Sequence, residues 1–179
     1  MSDCGARRAS QHSCRLSYSV PGNDEGRQFD AAGNLKDWWA ESDGKEFEKR
    51  AGCVADQYAG YTVVDDIKIK SRLTLGEDVA DLGGLILAWV AWKDAIAGRT
   101  LEPRDGLTPE QRFFVGFAQW TCENQRDEDK RVNALTNPHS PGIYRINGVV
   151  VNMPEFSAAF SCKPGAPLVR PPDKVCKIW

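Results

Sequence analysis

The sequence lacks any apolar run long enough to cross a bilayer; its longest uncharged apolar stretch, Leu82 to Trp92, is about half of what a spanning helix needs. It has no excess of one charge. Lys and Arg number 23 against 25 Asp and Glu, a formal net charge of −2, and their mixing leaves no basic stripe to hold a nucleic acid. The first residues lack the apolar segment of a secretory signal, and Met1 to Gly22 shows no hydrophobic periodicity. Residues 1–22 are therefore expected to form a disordered leader ahead of a single domain over 23–179. Histidine is scarce, with only His12 and His139. The turn at Asp30 to Asn34 lacks the D-x-D-x-D-G spacing of a calcium loop. What is present, 41% hydrophobic and 27% charged residues over 179 positions, is enough for one packed, soluble globular domain.

The patterning is mainly helical. Phe47, Ala51, Val54, Tyr58 and Tyr61 recur at steps of four and three, which predicts an amphipathic helix from about Ser42, with Trp38 and Trp39 anchoring the turn before it. Ile67 and Ile69 alternate with lysines in a short strand-like segment. A long, mostly apolar helix is expected from about Leu75 to Ala97, closed by Gly98, with the paired Gly83 and Gly84 permitting close packing. Thr108-Pro109-Glu110-Gln111 is a capping box that opens a helix burying Phe113, Phe114, Phe117 and Trp120. Glu123 to Arg131 reads as a solvated helical face. Asn147-Gly148 between Ile146 and Val149–Val151 reads as a tight turn, so a short β-hairpin is expected near 144–151. Pro154 then opens a helix carrying Phe156 and Phe160, and the terminal Trp179 is expected to be buried.

The chemistry concentrates in Thr74 to Gly84. Glu77 and Asp81 stand four residues apart, hence on one helix face. Two such carboxylates suit a divalent cation or the orientation of a metal-binding histidine. Locally the same residues also read as a capping box, with Thr74 at the N-cap and Glu77 three residues on. His139, in Asn137-Pro138-His139-Ser140-Pro141, taken alone reads as a structural histidine fixed between two prolines, and Arg145 as an ordinary strand-edge arginine.

The full string Leu73 to Leu85 resembles the third-ligand helix of the neprilysin-like zinc metallopeptidases, the neprilysin and endothelin-converting-enzyme type. Further blocks resemble that family in the same order: Gly26 to Asp30, Gly33 to Trp39, Gly116 to Gln119, Pro138 to Pro141, Asn152 to Phe156 and Cys176 to Trp179. The resemblance covers about residues 23 to 179. It implies a mainly α, multihelical C-terminal portion of a thermolysin-like zincin catalytic domain, acting on peptides with zinc as cofactor. By the same resemblance Glu77 is a zinc ligand, Asp81 orients a histidine ligand, His139 stabilises the oxyanion of the tetrahedral intermediate, and Arg145 binds a peptide carbonyl. Cys53 and Cys176 match a family disulfide, while Cys122 and Cys162 match cysteines whose partners lie upstream. Such cysteine usage implies an oxidising compartment, extracellular or periplasmic.

One family element is absent. Cys14-Arg15-Leu16-Ser17-Tyr18 falls where the family carries H-E-x-x-H, and Asn23 falls where an Asp would orient the second histidine. The His12-x-Cys14 pair reads as incidental rather than as a replacement ligand set. The loss is abrupt beside well-kept downstream blocks, as expected of a truncated or misread reading frame. Two readings follow: the C-terminal portion of a zinc endopeptidase, inactive alone and partnered by the missing N-terminal part, or a non-catalytic remnant or peptide-binding module of the same fold.

Overall fold

A computed structural model of the protein describes residues 28–30 and 32–178. The leader, its His12 and Cys14, the segment at 14–18, Asn23 and the terminal Trp179 lie outside the described residues. After an Asp30-centred turn, in which its carboxylate accepts from the Ala32 and Asn34 amides, Trp39 packs edge-on against Phe47 at 5.2 Å. Helix α1 spans Glu41–Tyr58. Its buried Phe47, Ala51, Val54, Ala55 and Tyr58 follow the helical period, and Glu41 and Asp43 complement the dipole of the first turn. Strands β1, Thr62–Val64, and β2, Ile67–Lys68, pair antiparallel across Asp65, whose φ is 53°. Asp tolerates that left-handed conformation better than most residues, which is why so short a turn closes here.

Helix α2, Ser71–Ala95, starts one turn earlier than the sequence predicts. Thr74 is consequently inside the helix, and its hydroxyl donates to Asp78 rather than capping the N-terminus. No side chain caps Lys70, the N-cap residue, so the capping-box reading of Thr74 and Glu77 is replaced. Helix α3, Pro109–Ala118, does have the expected box, with Thr108 and Gln111 satisfying each other's amides. Only Phe114 of its aromatics is fully buried, and Trp120, in a 3-10 turn over Gln119–Thr121, is 51% exposed rather than buried as predicted. Helix α4, Asp127–Thr136, begins after an irregular stretch in which Glu123 turns back to the Gly142 amide at 2.6 Å.

The predicted hairpin near 144–151 is a helix, α5, Gly142–Val150. Gly148 is needed not for a turn but for close approach to α1: a Cβ there would lie 2.5 Å from the Tyr58 hydroxyl oxygen. Gln57 Nε2 donates to the Gly148 carbonyl at 2.7 Å across the same contact. Helix α6, Pro154–Ala159, carries Phe156 into contact with Phe114 at 5.4 Å. The core runs between α1, α2 and α5, where Val54, Tyr58, Val79, Leu82 and Val149 are almost wholly removed from water. Burying each such side chain contributes roughly 1.5–3 kcal/mol. The chain end is tied back to this core by the Cys53–Cys176 disulfide, with Cα atoms 5.6 Å apart, and by the Cys176 amide donating to Asn152 Oδ1. Cys122 and Cys162 form no disulfide among the described residues.

Candidate functional site

Helix periodicity puts Glu77 and Asp81 on one face of α2, and α5 packs beside that face, so Arg145 on α5 meets both carboxylates. Arg145 Nε donates to Asp81 Oδ2 at 2.6 Å and Nη2 donates to Asp81 Oδ1 at 2.8 Å, a bidentate fork. Nη2 also reaches Glu77 Oε2 at 3.3 Å, while Nη1 makes no hydrogen bond among the described residues. The pair is well shielded, with side chains 14% and 12% exposed. Burial pushes the Asp81 carboxyl up and the Arg145 fork only partly offsets this. Burial also works against the Arg145 charge, but Asp81 and then Glu77 outweigh it and hold the guanidinium above its ordinary value. The short bidentate bonds have the geometry of a charge-assisted pair. The guanidinium lies over the Trp120 ring, 4.7 Å from its centroid, which gives that exposed indole a contact that sequence periodicity did not reveal.

His139 approaches from the loop between α4 and α5. Its Nε2 is 3.4 Å from Glu77 Oε2, so Glu77 faces two cationic or potentially cationic side chains, and both it and His139 are nearly half exposed. Asn137 Oδ1 accepts from the His139 amide at 2.9 Å and lies 3.0 Å from Nδ1. Asn137 Oδ1 and Glu77 Oε2 thus present an acceptor to each ring nitrogen, and the two contacts together fix the orientation of the imidazole. The structure thus brings Glu77, Asp81, His139 and Arg145 into one cluster. A cavity of about 250 Å³ opens beside it, lined by His139, Arg145, Trp120, Thr74 and Lys70 among others. Sequence reasoning did not identify Asn137, Trp120, or a buried contact behind the cluster between Asp78 and Ser140. An Asx residue two positions before a histidine was the available signal for the first.

Among the described residues no group of three or more His, Cys, Asp or Glu side chains is placed to hold a metal ion. Glu77 is one carboxylate already engaged by His139 and Arg145, which is too small a donor set for a catalytic zinc. No helix of the described residues is long and apolar enough to cross a membrane.

The chain matches the model of peptidase family M13 over residues 22–176. It is 41% identical to Neprilysin-1 of Caenorhabditis elegans over 163 residues, covering 88% of this chain and 21% of that protein. It is 39% identical to human endothelin-converting enzyme 1 over 160 residues, covering 88% of this chain and 20% of the relative. The crystal structure of the Mycobacterium tuberculosis zinc metalloprotease Zmp1 with an inhibitor superposes with a TM-score of 0.87 at 33% identity, covering 99% of this chain and 28% of that one. The chain therefore spans about a fifth of the length of the curated relatives it matches.

Proposed function

The chain belongs to peptidase family M13, and from that membership we propose that it forms the C-terminal portion of a zinc-dependent metalloendopeptidase acting on peptides. The observation that carries this reading is the convergence of Glu77, Asp81, His139 and Arg145 from elements distant in sequence, with His139 and Arg145 also lining a cavity. In this reading Glu77 is a zinc ligand and Asp81 orients a histidine ligand supplied by an H-E-x-x-H segment. Neither ligand histidine is among the described residues, which do not fit zinc on their own, so no step is derived through the metal. Arg145, fixed by Asp81, has Nη1 left to donate to a peptide carbonyl. His139, as a neutral or cationic imidazole, donates a ring N–H to the oxyanion that develops on the scissile carbonyl. The Cys53–Cys176 disulfide supports an oxidising location, extracellular or periplasmic.

The 179 residues contain two histidines, at positions 12 and 139, and no H-E-x-x-H. Expressed as it stands, the chain should bind zinc weakly and show no chelator-sensitive cleavage of a peptide with a hydrophobic residue after the scissile bond. Equilibrium dialysis and a peptide-cleavage assay on the purified chain test this. Chelator-sensitive turnover that disappears in Glu77→Ala would overturn the inactivity and show that other ligands complete the site.

A further inference from the structure

Asp78 stands next to Glu77 yet points the other way, into the core, where it is 1% exposed. Its Oδ2 accepts from Thr74 Oγ1 at 2.7 Å, one turn back on α2, and from Ser140 Oγ at 3.0 Å, on the loop that carries His139. Ser140 is itself buried, and Oδ1 has no hydrogen-bond partner among the described residues. A carboxylate this deep is costly, since burial disfavours its charge; the two hydroxyl bonds only partly offset that, and its pKa is pushed up to about 7. An apolar residue would avoid that cost, so the contact it makes across the fold is the feature to explain.

We propose that Asp78 is a positioning residue: its bridge to Ser140 locks the His139 loop onto α2 and sets the register of His139 against Glu77. Each end of the bridge is the neighbour of a cluster residue, Asp78 of Glu77 and Ser140 of His139, so a shift at the bridge moves both. Two other contacts reach the loop region from α2 and its N-cap residue, the half-exposed His139–Glu77 contact at 3.4 Å and the Lys70 Nζ bond to the Leu135 carbonyl at 3.2 Å. Both are solvent-accessible, whereas the Asp78–Ser140 bond is buried. Asn137 holds His139 within the loop itself, and Glu123 and Thr121 hold Gly142, at the start of α5. The Asp78–Ser140 bond ties the loop directly to the helix that carries Glu77.

The proposal rests on the reading of His139 and Glu77 as partners in one site, but its test needs no activity. Amide hydrogen exchange is measured on the full chain and on Asp78→Ala, Asp78→Asn and Ser140→Ala, together with the imidazole 15N signals of His139 with and without Glu77→Gln. Loss of a hydrogen bond to a buried carboxylate should speed exchange at the His139 and Gly142 amides, either side of Ser140 and Pro141, by about ten- to a hundredfold in Asp78→Ala and Ser140→Ala, with α1 unchanged. Asp78→Asn, whose amide oxygen still accepts, should keep the protection. Glu77→Gln should shift the His139 Nε2 signal in the wild-type background and leave it unmoved in Ser140→Ala, a readout that general destabilisation does not give. Wild-type exchange in both alanine variants, faster exchange spread evenly over the chain, or a Glu77→Gln shift that survives Ser140→Ala would each overturn the proposal. A catalytic failure of His139 would leave these results untouched.

Discussion

At the scale of single residues, the cluster is an ion pair with a histidine beside it. Arg145 and Asp81 are each largely removed from water, so removing either partner strands a desolvated charge. Asp81→Ala is expected to destabilise the chain by about 3 kcal/mol, the usual cost of breaking a buried pair. Arg145→Ala should cost a similar amount, and the double variant clearly less than the two together, because neither charge is then left alone. Urea denaturation of the four proteins closes this cycle; strictly additive losses would show that Asp81 and Arg145 do not depend on each other. Glu77 and Asp81 were legible in the sequence because a spacing of four fixes a shared helix face. Their meeting with Arg145 was not, since 64 residues separate Arg145 from Asp81 and only the packing of α5 on α2 closes that gap.

At the scale of elements, sequence reading succeeds where the signal is local and fails where a neighbour decides. The Thr108 box and Pro154 each announce a helix through their own backbone chemistry, and both helices are present. Asn147-Gly148 carries an equally strong local turn signal, yet Gly148 is a contact residue beneath Tyr58, and Val149 and Val150 after it are buried in the core shared with α1 and α2. The start of α2 was misplaced for a related reason, as Thr74 answers to Asp78 within the helix instead of to an orphan amide. Gly148→Ala separates the two accounts of that glycine by sign. In a free helix the change should stabilise by about 1 kcal/mol. Beneath Tyr58 it should instead destabilise by about 1–3 kcal/mol through overpacking. Denaturation midpoints of the two proteins decide it, and a gain in stability would remove Gly148 from the contact that places Arg145.

At the scale of the whole molecule, the disulfide joins residues 123 apart and holds the C-terminus against α1. In the chain-entropy model, closing so long a loop stabilises by about 4–5 kcal/mol. Replacing Cys53 and Cys176 by serine should lower stability by up to that amount, while blocking Cys122 and Cys162 should leave it unchanged; separate thiol peptides for Cys53 and Cys176 after oxidative folding would refute the link. The pairing was legible only through family resemblance, because six cysteines in a sequence do not declare their partners. The central claim, that this fold contributes Glu77, Asp81, His139 and Arg145 to an M13 peptidase site, is tested most directly in a chimera. Residues 28–178 would replace the corresponding segment of the 33% identical Zmp1, which supplies the remainder of the catalytic domain. The measurement is chelator-sensitive peptide cleavage by the folded chimera. The account predicts cleavage that falls by at least about a hundredfold in Glu77→Ala and in His139→Ala. A folded chimera that does not cleave, or one whose cleavage is indifferent to those two substitutions, would contradict it.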